Sequence, residues 1–130
     1  MSDDGDIAKN NGLSDIVIQL LTTEGKTKFI SVFGGSSSDY ITDLNSDFDD
    51  GYIIAGQTDS DDGDIDITYG STDVWVTNLN NQGEISWQTT IGGSSYDQLP
   101  SIIKTADSCF LIVSQTQSTD YDAKTKVLSH

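Results

Sequence analysis

Short apolar stretches alternate along the chain with clusters of Gly, Ser, Asn and Asp, and no stretch holds the period of an amphipathic helix. The apolar stretches are rich in β-branched and aromatic residues, the signature of strands bounded by turns. The pattern predicts eight: Ile16–Leu21, Lys28–Phe33, Tyr40–Ser46, Tyr52–Thr58, Val74–Leu79, Ser86–Ile91, Gln98–Thr105 and Phe110–Thr116. Thr23–Gly25 and Asn80–Gly83 read as hairpin turns with Gly late in the loop, and Asp47–Gly51 and Ala106–Ser108 as further turns. Tyr52–Ala55 and Phe110–Val113 are apolar at consecutive positions, as in strands covered on both faces.

The chain also lies on itself when shifted by 58 residues. SDDGDI at Ser2–Ile7 recurs at Ser60–Ile65, and GGSSSD at Gly34–Asp39 recurs as GGSSYD at Gly92–Asp97. Asp15 answers to Asp73, Gly25 to Gly83, Phe29 to Trp87, and Gln57–Thr58 to Gln115–Thr116. A repeat of this kind marks a supersecondary unit that buries its apolar faces only by stacking on its neighbours. Four strands per repeat predict an all-β fold of two four-stranded antiparallel blades in a β-propeller-like array. The predicted blades are 15–58 and 73–116, joined by an acidic inter-blade loop at 59–72, with 1–14 and 117–130 as parts of equivalent loops. Phe29 and Trp87, at matching positions, are expected to be equivalent core residues. Closed propellers need about 4 to 8 blades, so two predict further blades or self-association.

Composition narrows the partners. Six Lys plus Arg stand against 21 Asp plus Glu, a net charge of −15, which disfavours nucleic acid and anionic membrane surfaces. No stretch approaches membrane-spanning length, and MSDDGDIAKN carries no signal-peptide pattern. The single cysteine, Cys109, excludes an internal disulfide.

The combination of GGSSxD, DGYIIAGQTDS and DVWVTNLNNQGEISWQTTIGG resembles a family of bacterial and archaeal β-propeller repeats, related to those called SBBP-type repeats, found in large surface or secreted proteins. The resemblance covers essentially the whole chain in two registers. It implies a propeller scaffold at the cell surface or outside the cell, and carries no particular reaction with it. The second copy departs at the turn, where Ala106-Asp107-Ser108-Cys109 replaces Phe48-Asp49-Asp50-Gly51, and at Pro100, which replaces Thr42.

The acidic loop holds the strongest chemical candidates, Asp61, Asp62 and Asp64 around Gly63, because closely spaced carboxylates on a Gly turn can converge on calcium. The competing reading is an Asx-rich turn without a ligand, favoured by the shortage of donors and by Gly70 standing where an EF-hand places its bidentate Glu. No cofactor other than calcium is read. Tyr69, Tyr96 and Tyr121 lie in loops and could stack on a sugar, making a carbohydrate-binding module the alternative to a binding or display scaffold with a protein or carbohydrate ligand. Catalysis has little support: GGSS lacks the G-x-S-x-G spacing and the lone His130 is terminal. The chain is therefore expected not to be an enzyme, a propeller-hydrolase fragment being the remote alternative.

Overall fold

The computed structural model describes residues 12–65 and 68–119. Among them are eight strands and no helix: β1 Ile16–Leu21, β2 Thr27–Phe33, β3 Asp39–Ser46, β4 Tyr52–Thr58, β5 Asp73–Leu79, β6 Ile85–Ile91, β7 Asp97–Lys104 and β8 Phe110–Thr116. All pairing within the sheets is antiparallel.

The sheets are cut differently from the repeat. A central four-stranded sheet runs β3-β4-β5-β6, flanked by the two-stranded sheets β1-β2 and β7-β8. The acidic segment 59–72 therefore joins neighbouring strands of one sheet, with β4 and β5 laddered from Tyr52↔Leu79 to Thr58↔Asp73. The chain changes sheet at the two GGSS segments, between β2 and β3 and between β6 and β7. Blade limits drawn at 15–58 and 73–116 thus fall half a repeat out of step with the hydrogen bonding. The physical reason is that the long loop folds back on itself, while Gly34-Gly35 and Gly92-Gly93 are the points where the backbone turns out of the sheet plane.

Alternation along the central sheet sends side chains to two cores. Ile54, Trp75 and Leu79 pack with Ile16 and Phe33 of the first hairpin. Ile53, Ala55, Val74 and Val76 pack with Ile102 of the last, with Phe110 and Ile112 against them. Burial of apolar surface stabilises at about 25 cal/mol per Å², and these two interfaces hold the buried apolar clusters of the described residues.

Pro100 is accommodated because β7 breaks register between Gln98 and Ser101, where no ladder donor is required. Its repeat equivalent Thr42 lies in the matching irregularity between Ile41 and Asp43. The last turn keeps its closing hydrogen bonds without a glycine, Thr105 N donating to Cys109 O at 2.9 Å and Thr105 Oγ1 accepting the Cys109 amide at 3.0 Å, but its backbone differs from the first copy in that Ser108 takes a left-handed φ of 66°. Cys109 is exposed.

Phe29 and Trp87 are not equivalent in burial. Phe29 meets Tyr52 edge-on, with ring centroids 6.5 Å apart, and lies beneath the β5–β6 turn at Gly83. Trp87 holds the same place on β6 and is 45% exposed, because no described strand or turn covers that part of the central sheet.

Candidate functional site

The connections between sheets gather at one end of the stack, and each repeat builds the same polar clasp there. Asp39 opens β3 and is buried; its Oδ2 accepts the Gly35 amide at 2.9 Å and the Ser60 hydroxyl at 3.0 Å, and its Oδ1 accepts the Thr58 hydroxyl. Thr58 Oγ1 accepts the Ser60 amide at 2.9 Å, and Ser60 Oγ accepts the Ser37 amide at 3.1 Å. Asp97 does the same at β7. Its Oδ2 accepts Gly93 N at 2.9 Å and Ser118 Oγ at 2.8 Å, and its Oδ1 accepts Thr116 Oγ1. Ser118 N and Ser95 N complete that ring onto Thr116 Oγ1 and Ser118 Oγ. One carboxylate thus ties the glycine crossing, the start of one strand and the end of its partner.

A second aspartate stands behind each clasp. Asp73 opens β5, is fully buried, and accepts the Tyr69 and Gly70 amides through Oδ2. Its Oδ1 is buried and faces no hydrogen-bond donor. A Cβ added at Gly92 would strike both that oxygen and Asp97 Oδ2; one at Gly34 would come within 2.6 Å of Asp15 Oδ1 and 2.8 Å of Asp39 Oδ2. These crossings need glycine because the paired carboxyls occupy the space of a side chain. Burial, reinforced by the Asp97 carboxylate, pushes the Asp73 carboxyl up despite its two amide donors. Burial likewise raises Asp39, against the lowering pull of Thr58, Gly35 and Ser60, with the Asp15 charge adding to the rise. The raised Asp73 carboxyl holds a proton more readily than an exposed one does.

The acidic loop bends over the first crossing. Asp62 Oδ1 accepts Ser36 N at 2.7 Å, which lowers its carboxyl, and Asp64 Oδ2 accepts Gly34 N at 3.0 Å. Asp64 N donates to Gly34 O at 3.0 Å, and Gly63 has a φ of 66° and no room for a side chain, since a Cβ there would strike that same carbonyl oxygen. Asp61 is exposed. The three carboxylates read as calcium ligands are thus not brought together, and among the described residues no group of three or more His, Cys, Asp and Glu side chains lies close enough to hold a metal ion.

Tyr69 and Tyr96 lie at the same end, both exposed, with Tyr96 in a parallel bridge to Thr72. Tyr121 lies outside the described residues. At the opposite end a polar cleft of about 280 Å³ is lined by Asp47, Asp49, Asp50 and Asn78. Asp47 is engaged there by the amides of Asp49 and Gly51 and by Asn78 Nδ2, which together outweigh its burial and lower it.

Asp39, Asp97, Thr58, Thr116, Ser60 and Ser118 are absent from the candidates that charge and motif pick out of the sequence. Their signal was there: every one of them recurs at the repeat spacing. No family model, curated protein or solved structure matches the chain.

Proposed function

We propose that this chain is a two-period segment of a β-propeller, one whole blade formed by β3–β6 between two half blades, and that it works as a non-catalytic scaffold of a surface or secreted protein. The observation that carries this reading is the meeting of β3 and β7. These are the first strands of consecutive sheets, and they touch through residues of the same repeat position. Ser46 Oγ receives Lys104 Nζ at 3.2 Å, and the carboxylate of Asp43 receives Ser101 Oγ at 3.0 Å and Ile102 N at 2.8 Å. Contact between equivalent positions on first strands is what rotation about an axis beside those strands produces. The SBBP-type resemblance supports the same reading.

A scaffold rather than a catalyst is favoured by how the polar groups are used. The clasp carboxylates Asp39 and Asp97 spend their acceptor capacity on backbone amides and hydroxyls of this chain, leaving a rim of polar loops for contact. A second reading, carbohydrate binding, rests on Tyr69 and Tyr96 being exposed together at that end.

Nuclear magnetic resonance titration with a panel of mono- and oligosaccharides separates the two. On the scaffold reading the resonances around Tyr69 and Tyr96 stay in place; saturable shifts confined to them would transfer the site to carbohydrate recognition.

A further inference from the structure

The two ends of the sheet stack are unfinished in complementary ways. Strand β1 is the repeat equivalent of β5, and β8 of β4, yet among the described residues neither β1 nor β8 has the partner that β4 and β5 give one another. The residues on these edges stay apolar although no described residue covers them. Leu111 and Val113 are 56% and 64% exposed, whereas their equivalents Ile53 and Ala55 are fully buried. Val17 and Leu21 are 43% and 52% exposed, whereas Trp75 and Leu79 are fully buried.

Beside β1 runs an open groove of about 560 Å³ lined by Val17, Ile18, Ile41, Thr42 and Leu44. The equivalent space between β5 and β7 is filled, and β4 fills it: Ile53 and Ala55 sit there against Ile102, the counterpart of Leu44. The groove thus has the shape of a missing β4-like strand, and β8 is such a strand.

We propose that the occupant of this groove is the β8 edge of a second copy of the chain, so that β7-β8 of one copy and β1-β2 of the next form one four-stranded sheet. The proposal rests on the propeller reading and names its partner. The register follows from the β4–β5 ladder, moved by one repeat: Phe110 opposite Leu21 of the second copy, Val113 opposite Ile18, and Thr116 opposite Asp15. Leu111 and Val113 then bury against Leu44 of the second copy.

The same placement covers Trp87. Within the chain, the β5–β6 turn lies over Phe29, with Ser31 Oγ donating to Gly83 O at 2.8 Å. One repeat on, the β1–β2 turn of the second copy carries Gly25 over Trp87, and Thr89 takes the part of Ser31. One departure is visible: Cys109 stands where Gly51 does, and a Cβ at Gly51 would strike the Leu79 carbonyl, so the docked ladder opens at that end and runs from Phe110 onward. The interface is head-to-tail and closes as a ring.

The test uses sedimentation velocity on three forms of the full chain across about 1–200 μM, a range set to span the affinities common for interfaces of this kind. Wild type is expected at roughly two to four times the monomer mass, since propellers close with about 4 to 8 blades. Val17→Lys spoils the β1 end, and the pair Leu111→Lys and Val113→Lys spoils the β8 end; both forms are expected to be monomers with unchanged circular dichroism. Mixed one to one, they should form a dimer through their two intact ends, with a blue shift of Trp87 emission.

A monomeric wild type, variants that still self-associate, or a mixture that stays monomeric would each overturn the proposal. Small-angle scattering separates this failure from that of the propeller reading. A wild-type monomer whose scattering fits the three-sheet stack removes only the second copy; one that does not fit removes the propeller as well.

Discussion

The hydroxyl of Thr42 donates a 2.6 Å hydrogen bond to the carbonyl of Pro100, the residue 58 positions on that occupies its own place in the second repeat. Both residues sit in the register break of a first strand, where the ladder lets go of its neighbour and the backbone is free to turn towards the next sheet. A bond between equivalent residues fixes how one sheet is rotated on the next. Losses there should be felt as a change of angle more than of fold.

The aspartate clasps predict a sharp contrast within one residue type. Asp39→Ala and Asp97→Ala each strand two hydroxyls and an amide in a buried setting, and each should cost roughly 2–5 kcal/mol in urea unfolding. Asp61→Ala, on the exposed tip of the acidic loop, should stay within about 0.5 kcal/mol of wild type. Similar losses for all three would show that the clasp does not anchor the crossing.

Asp73 predicts an unusual pH dependence. Its folded carboxyl is raised above the ordinary value of 3.8, so the folded state keeps a proton that the unfolded chain releases. That contribution is complete below the ordinary carboxylate range and is lost as pH climbs through the raised value. Asp73→Asn stays neutral throughout and can donate to Asp97. Thermal melts should show its advantage over wild type growing from about pH 3 towards pH 7; a constant difference would mean that Asp73 ionises normally.

The two tryptophans should separate cleanly in dilute, monomeric protein. Trp75 is fully buried between two sheets and bonded through Nε1 to Gln88 at 2.8 Å, so Trp75→Ala should cost about 3–5 kcal/mol. Trp87→Ala should cost less than about 1 kcal/mol under the same conditions. Chemical denaturation followed by circular dichroism reads both.

Calcium should act on this protein only as an ion among ions. Asp62 and Asp64 already accept amides of the glycine crossing, and screening of a net charge of −15 accounts for the salt response. Millimolar calcium chloride and sodium chloride of equal ionic strength should move the melting temperature alike. A calcium-specific rise of more than a few degrees, absent in the triple Asp61→Asn, Asp62→Asn, Asp64→Asn variant, would restore the calcium reading.

Strand positions and turns were legible because each depends on neighbours in sequence: β-branched runs mark strands, and Gly25 and Gly83, with φ of 86° and 82°, close the hairpins where the pattern put them. Sheet membership was not legible, because it depends on whether a loop folds back or crosses. DSDDGDIDITYGST is long and polar and reads as a spacer between units, yet Asp62 and Asp64 grip Gly34 and Ser36 and return the chain to its own sheet. Trp87 misled for a related reason. Its repeat position predicts a core residue, but burial requires the turn of a following sheet, and Phe29 is covered by the β5–β6 turn while Trp87 has no such cover among the described residues. Of the acidic groups, charge density drew attention to Asp61, whereas the buried network was built on the less conspicuous Asp39 and Asp97.

The half-repeat offset between covalent unit and sheet makes the acidic loop an unusual place to cut. A nick after Asp61 would separate the two copies of the sequence, but each fragment would own two strands of the central sheet and one of its covering hairpins. Neither half could satisfy β4 or β5 alone, and the seven-residue ladder between those strands would hold the halves together. Two separately made pieces, 1–61 and 62–130, are therefore expected to recognise each other through the middle of a sheet.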